Sequence, residues 1–212
     1  MCDRWYQTAH GQWMAGREKE LLWRLMQPSP GDSVLDVGCG TGFFSRHWAN
    51  SGLKVVGVDI DRERVDYAAR QCPKVRYLVG DAKALPFSDK TFDHAVAVTS
   101  LCFVTPPAHA LEEMLRVARR TVLLGLLNRR SLLYLRKAGR KGYIGVRWDD
   151  LSSVREWLMQ IAPIHRSKWC LVTTETAIHA GSGAPAARWL ERILPARWPY
   201  GSFMAVKLIR RG

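Results

Sequence analysis

The stretch VLDVGCGTGFFSRHWA, Val34 to Ala49, restricts the fold more than any other part of this 212-residue chain. A short apolar run carries an acid, Asp36. Glycines then take alternate positions, Gly38, Gly40 and Gly42, and a helical pattern starts at Phe43. Glycine accepts positive φ and lets a backbone come close to a ligand. A turn that runs from a buried strand into a helix offers free N–H groups to an anion or a hydrogen-bonding group. The plainer reading is a tight connection with no ligand, and three alternating glycines make it the weaker one.

The spacing is G-x-G-x-G, whereas dinucleotide-binding turns read G-x-G-x-x-G. Asp36 stands two residues before Gly38. Its carboxylate would repel a pyrophosphate and would suit a cationic amine. Asp59 closes a second apolar run, VVGVDID. It follows the turn by about 20 residues, where an acid in such folds takes ribose hydroxyls. The alternative role for Asp59 is a helix N-cap, but Asp61, immediately before Arg62, is better placed for that.

Short β-branched runs alternate with helical patterns. Strands are expected at Ser33–Val37, Lys54–Val58, Val75–Val79, His94–Val98 and Thr121–Leu126. Helices are expected at Arg17–Met26, Phe43–Ser51, Arg62–Gln71 and Ala108–Ala118. The strands are apolar on both faces, the mark of a parallel sheet covered by helices on both sides. Further on, Asn128–Lys137, Asp150–Ile161 and Ala186–Leu194 read as helices, and Lys168–Thr173 and Phe203–Ile209 as strands. The predicted fold is α/β: a Rossmann-like, doubly wound, mostly parallel seven-stranded sheet with an antiparallel C-terminal edge pair.

An apolar content of 47% is ordinary for a globular chain. No apolar run is long enough for a membrane helix, and the polar start MCDRWYQTAH does not read as a secretory signal. The five cysteines, Cys2, Cys39, Cys72, Cys102 and Cys170, are scattered and form no C-x-x-C pair. Free thiols in a reducing cytoplasm are the expectation, with no metal site. The net charge of +13 favours contact with nucleic acid, anionic lipid or acidic substrates, or marks only a solvated surface.

A ligand with a ribose and an ammonium but no phosphate describes S-adenosylmethionine (SAM). The chain resembles the class I SAM-dependent methyltransferases, in the small-molecule branch that includes ubiquinone and menaquinone methyltransferases (methyltransferase type 11). The resemblance rests on VLDVGCGTG, VVGVDID and VGDAKALPFSDKTFDHAVA, in order over Val34 to Leu126. It implies that Asp36 and the turn Gly38, Cys39, Gly40 and Gly42 hold the methionine end of SAM. It also implies that Asp59 takes the ribose hydroxyls, Ile60 packs on the adenine, Asp81 and Ala82 meet its edge, and Thr99 lies near the methyl. DRWYQTAHG resembles the family's lid segment and makes Trp5 and Tyr6 candidates, with plain packing as the equal alternative. One departure is VARRTVLLG, where the family has a proline-glycine-glycine turn before the fifth strand. The implied organisation is one methyltransferase domain over 1–212. It divides into a helical lid (1–30), a SAM-binding core (31–127), a basic acceptor-side insertion (128–165) and a strand-helix-strand end (166–212).

No general base stands out. His10, Tyr143 and His165 are weak candidates; His47 and His109 fall within or near helices. The N-P-P-Y/F motif of amino-methylating nucleic-acid enzymes is absent after the fourth strand, where the chain reads TSLCFVTPP. The segment Asn128–Trp148 holds Arg129, Arg130, Arg136, Lys137, Arg140, Lys141 and Arg147 and no acid. It fits a solvated face, a peripheral contact with an anionic membrane surface, or an RNA backbone. The expected function is methyl transfer from SAM, with S-adenosylhomocysteine (SAH) as product, to a small acceptor that is lipophilic or anionic. An RNA methyltransferase and a non-catalytic SAM-binding module are the alternatives.

Overall fold

The computed structural model describes residues 5–140, 142–179, 194–195 and 197–211. Helix α1 (Ala9–Met26) leads into strand β1 (Ser33–Val37), then α2 (Phe43–Asn50), β2 (Lys54–Asp59), α3 (Arg62–Gln71), β3 (Arg76–Val79) and β4 (Phe92–Val98). A 3-10 turn (Leu101–Phe103) and α4 (Pro107–Val117) precede β5 (Ala118–Leu127). After it come α5 (Leu132–Lys137), α6 (Leu151–Gln160), α7 (Pro163–Arg166), β6 (Trp169–Ala177) and β7 (Phe203–Arg210).

The seven strands lie in the order β3-β2-β1-β4-β5-β7-β6. Neighbours from β3 to β5 pair in parallel. β7 inserts antiparallel between β5 and β6. The doubly wound sheet with an antiparallel edge is thus as the sequence reads. Two apolar layers cover it. On one face α4 and α6 pack Leu111, Met114 and Trp157 against Leu35, Ala95 and Leu124. On the other, α1 and α2 pack Leu22, Met26, Phe44 and Trp48 against Val34, Val96 and Leu123. Burying each such side chain contributes about 1.5–3 kcal/mol. The two cores clamp the sheet and leave its strand ends free to carry loops.

Several boundaries differ from the sequence reading, each for a local reason. α1 starts at Ala9, eight residues before the expected Arg17, because the Thr8 hydroxyl accepts from Gly11 N at 3.0 Å and caps it. Gly11 lets the chain pass: a Cβ there would lie 2.0 Å from the Trp5 carbonyl oxygen. The helix expected from Asn128 starts at Leu132. Asn128 Oδ1 instead takes Arg130 N in a turn, and Ser131 Oγ caps the helix through Tyr134 N. β6 runs on from Thr173 to Ala177 because β7 pairs with it throughout. The helix expected at Ala186–Leu194 lies outside the described residues apart from Leu194.

Candidate functional site

A cleft of about 670 Å³ opens beyond the carboxyl ends of β1, β2, β3 and β4. It spans the point between β1 and β4 where strand order reverses, the usual place for a ligand in open α/β sheets. Of the residues the sequence singles out for a cofactor, Tyr6, Asp36, Gly38, Cys39, Gly40, Asp59, Ile60, Asp81, Ala82 and Thr99 all line it. Gly42 sits just behind, as the N-cap of α2.

Asp36 is buried, at 2% exposure. Burial pushes its carboxyl up to about 7; the Ser45 hydroxyl donates to Oδ2 and opposes the rise, and the neighbouring Asp59 adds to it. A cation brought beside it would favour the charged form.

Asp59 has a different task in the same wall. Its Oδ2 accepts from Gly40 N at 2.7 Å and its Oδ1 from Asp61 N at 3.0 Å. A carboxylate offers about four acceptor directions, so each oxygen keeps one. Asp61, not Asp59, caps α3, through Arg64 N at 3.2 Å. The carboxylate of Asp59 ties the glycine turn to the end of β2 and still presents free lone pairs.

The glycines of the turn serve different ends. Gly38 has φ +71°, and a Cβ there would lie 2.3 Å from that of Ser100, so the turn touches the loop after β4. Gly40 has φ +54°, but a Cβ there would meet nothing within 4 Å. The space beside Gly40 is open, and it belongs to the cleft. Cys39, between them, is no nucleophile: burial, then Asp36 and Asp59, push its thiol far above the usual range.

The rim is apolar. Ile60 is 71% exposed beside the cleft. The Tyr6 ring stacks on Phe43 at 3.8 Å between centroids. Asp81 Oδ1 accepts from Lys83 N at 2.9 Å, which fixes the loop after β3. Thr99 ends β4 with φ +47°, a left-handed conformation that costs a non-glycine residue roughly 1–2 kcal/mol. It is held there by Thr99 N to Gly125 O at 2.7 Å, with Ser100 Oγ to Val37 O at 2.7 Å beside it. Strain of this kind gathers at ligand sites.

The candidate bases lie elsewhere. His10 is on α1 between Trp5 and Trp13. His165 is on α7. Tyr143 packs on Trp148 at 5.2 Å. None of the three lines the cleft.

Two residues escape the sequence reading. Arg147, counted there only as one cation among seven, clamps the loop after β4. Its Nη2 donates to Leu101 O at 2.6 Å, its Nη1 to Val104 O at 2.7 Å and its backbone N to Cys102 O at 3.2 Å. Nε pairs with the buried Asp149 at 2.9 Å, and the guanidinium lies 5.1 Å from the Trp157 ring centre. Leu101 and Val104 are walls of the cleft. The second is Glu18, buried on α1, whose carboxyl burial pushes up to about 8 against the pull of Lys19. Burial, with Glu18 adding to it, also raises the Tyr143 phenol. The signal for Glu18 was its spacing: it precedes the inward Leu21 and Leu22 by three and four residues.

Residues 35–124 match the family model described as a methyltransferase domain. Over 90 residues the chain is 42% identical to the demethylmenaquinone methyltransferase of Renibacterium salmoninarum, covering 42% of this chain and 38% of that one. Over 100 residues it is 38% identical to the malonyl-(acyl-carrier protein) O-methyltransferase of Pectobacterium atrosepticum, covering 47% and 40%. The chain thus spans about two fifths of the length of these curated relatives. Among solved structures, a SAM-dependent methyltransferase from Thermotoga maritima superposes with a TM-score of 0.72 at 21% identity, over 99% of this chain and 94% of that one. The magnesium protoporphyrin IX methyltransferase of Synechocystis PCC 6803, crystallised with SAH, gives 0.67 at 16% over 99% and 92%. The cyclase SpnF gives 0.69 at 21% over 98% and 86%, so the fold by itself does not settle the reaction. Over residues 35–124 the chain is thus similar to the methyltransferase-domain family, and it shares the Rossmann-like fold of its structural neighbours.

Proposed function

We propose that the chain is a SAM-dependent methyltransferase acting on a small molecule. The observation that carries this is the pairing of two unlike acids on one cleft wall. Asp36 is buried and poised to gain from a cation; Asp59 is anchored by two amides and keeps lone pairs for hydroxyls. The open space at Gly40 and the uncovered Ile60 fit the rest of such a ligand. The reactions for which the curated relatives are named, methylation of demethylmenaquinone and of a malonyl group on a carrier protein, support the same class.

In this reading Asp36 and the turn Gly38–Gly42 hold the methionine end, and Asp59 holds the ribose. Ile60, Asp81 and Ala82 take the adenine, and Thr99 borders the methyl. Tyr6, stacked on Phe43, closes the cleft from the N-terminal side as part of a lid. The chain acts as one domain with the basic segment on the acceptor side. SAM supplies an electrophilic methyl group. The protein orients the acceptor for in-line attack and keeps water out, and holding the reactants at a near-attack distance of about 3–3.5 Å supplies most of the acceleration. A base is required only for an acceptor that must shed a proton early.

Calorimetry with SAM and SAH tests the first half. Micromolar binding is expected, lost in Asp59→Ala; no binding by folded wild-type protein would end the proposal. Mass spectrometry of cell extract incubated with the protein and labelled SAM tests the second half. Label in a small molecule is expected; label in RNA would move the assignment to the RNA methyltransferases.

A further inference from the structure

The chain leaves the sheet after β5 and returns at Asp149 in a closed excursion. Its ends are tied by Arg129 N to Asp149 O at 2.9 Å and Asp149 N to Leu127 O at 3.0 Å. Leucines in a helix ordinarily turn toward a core. Here α5 buries none of its residues. Leu132 and Leu135, three positions apart and therefore on one helix face, point outward, and Leu135 is 75% exposed. Ile144, further along, is 74% exposed.

The cations among the described residues of the excursion divide into two sets. Arg129 and Arg147 are used, in ion pairs with Asp150 and Asp149. Arg130, Arg136, Lys137 and Arg140 are exposed and make no ion pair among the described residues. The stretch 128–148 has no acid to offset them. Phe103 is bracketed by the Arg147 bonds to Cys102 O and Val104 O; it lines the cleft and is 69% exposed.

A merely solvated face accounts for the cations but not for Leu135 and Ile144, which stay three-quarters exposed and forgo most of the ~1.5–3 kcal/mol that full burial contributes. A nucleic-acid backbone would use the cations and gain nothing from aliphatic side chains. Both sets are used together at an anionic lipid surface, where apolar side chains enter the acyl boundary and cations meet the headgroups.

We propose that residues 130–140 and 142–144, together with Phe103 at the cleft, form a docking surface for an anionic lipid bilayer. The surface stands independently of the methyltransferase reading. Its consequence, that a lipophilic acceptor reaches the cleft directly from the bilayer, rests on that reading.

The test is co-sedimentation of the full chain with vesicles of phosphatidylcholine alone and with added phosphatidylglycerol. Binding to the anionic vesicles is expected, weakening as salt rises. The double change Arg136→Gln with Lys137→Gln should lower the partition coefficient about 25-fold, at roughly 1 kcal/mol for each cation. Leu135→Asp should lower it about tenfold or more while leaving SAH affinity and melting temperature unchanged. Ile144→Ser, at a separate point of the excursion, serves as the second variant should Leu135→Asp fold poorly. Equal binding to neutral and anionic vesicles would overturn the proposal. So would an undiminished partition in the folded Leu135→Asp or Ile144→Ser proteins. Tighter retention of an RNA oligonucleotide than of vesicles at the same salt would overturn it in favour of RNA. Wild-type protein that binds vesicles but not SAH would remove the methyltransferase reading and leave the docking surface standing.

Discussion

In the proposed cofactor site, the carboxyl of Asp36, raised to about 7 by burial and by Asp59 against the pull of the Ser45 hydroxyl, should make cofactor affinity depend on pH near neutrality. The ligand-free site holds a proton below about pH 7; a ligand ammonium beside Asp36 favours the ionised form, so binding expels that proton. The apparent association constant then follows the ionised fraction. Above pH 7 it is nearly flat. Below, it falls about tenfold, or roughly 1.4 kcal/mol, for each pH unit, until the pKa of the bound state is reached. From about pH 8 to about pH 6 the expected loss is about tenfold, since only about one site in eleven is ionised at the lower value. Calorimetric titration of SAH in buffers of differing ionisation enthalpy measures both the slope and the released proton, which should approach one per ligand on the acid side. Asp36→Asn should bind weakly at every pH and show neither slope nor release. A flat wild-type profile, or a slope kept in Asp36→Asn, would refute the assignment of Asp36 to the cation.

Other consequences are as direct. Gly40→Ala should leave the protein folded, with a strain of about 1–2 kcal/mol from φ +54°, and yet lose most of its SAH affinity, because the new methyl enters open cleft space; retained affinity by calorimetry would place the ligand elsewhere. Arg147→Ala should weaken SAH binding about tenfold and speed amide exchange at Leu101–Val104 with the sheet amides unchanged. Arg147→Lys should not rescue it, since one ammonium cannot span two carbonyls and Asp149. Glu18 keeps its proton in the folded state up to about pH 8 but loses it near 4.5 when unfolded, so stability falls as pH rises through that window. Glu18→Gln should remove this slope and stabilise the protein above about pH 8 by on the order of several kcal/mol, seen as a melting-temperature gain that grows with pH.

The parts of the fold legible in the sequence are those fixed by local pattern. β1 and α3 match their expected bounds because one is a buried β-branched run entering a glycine turn and the other has an Asp61 cap and a proline beyond its end. α1 is longer than its apolar pattern because a single hydroxyl at Thr8 starts it, and Gly11 and Gly16 weaken the helical signal between. The end of β6 was hidden for a different reason. Thr174, Glu175 and Thr176 have little apolar alternation, and only the ladder with β7 makes them a strand.

The site divides along the same line. Asp36, the glycines and Asp59 announce themselves because each stands at or just beyond the carboxyl end of a strand, in a spacing that few other constraints produce. Arg147 does not, because its partners lie about 40 residues back in the chain and are backbone carbonyls, which carry no side-chain signature. Within Asn128–Trp148 the sequence shows seven like charges of equal appearance. The fold separates them: Arg147, partly buried, and Arg129, at the surface, pair with acids that stand just outside that stretch, Asp149 and Asp150. The cations left without an ion pair among the described residues are those beside the outward-facing leucines. Charge composition therefore gives the sign of a partner, and only the burial of the apolar neighbours decides between a solvated face and a lipid one.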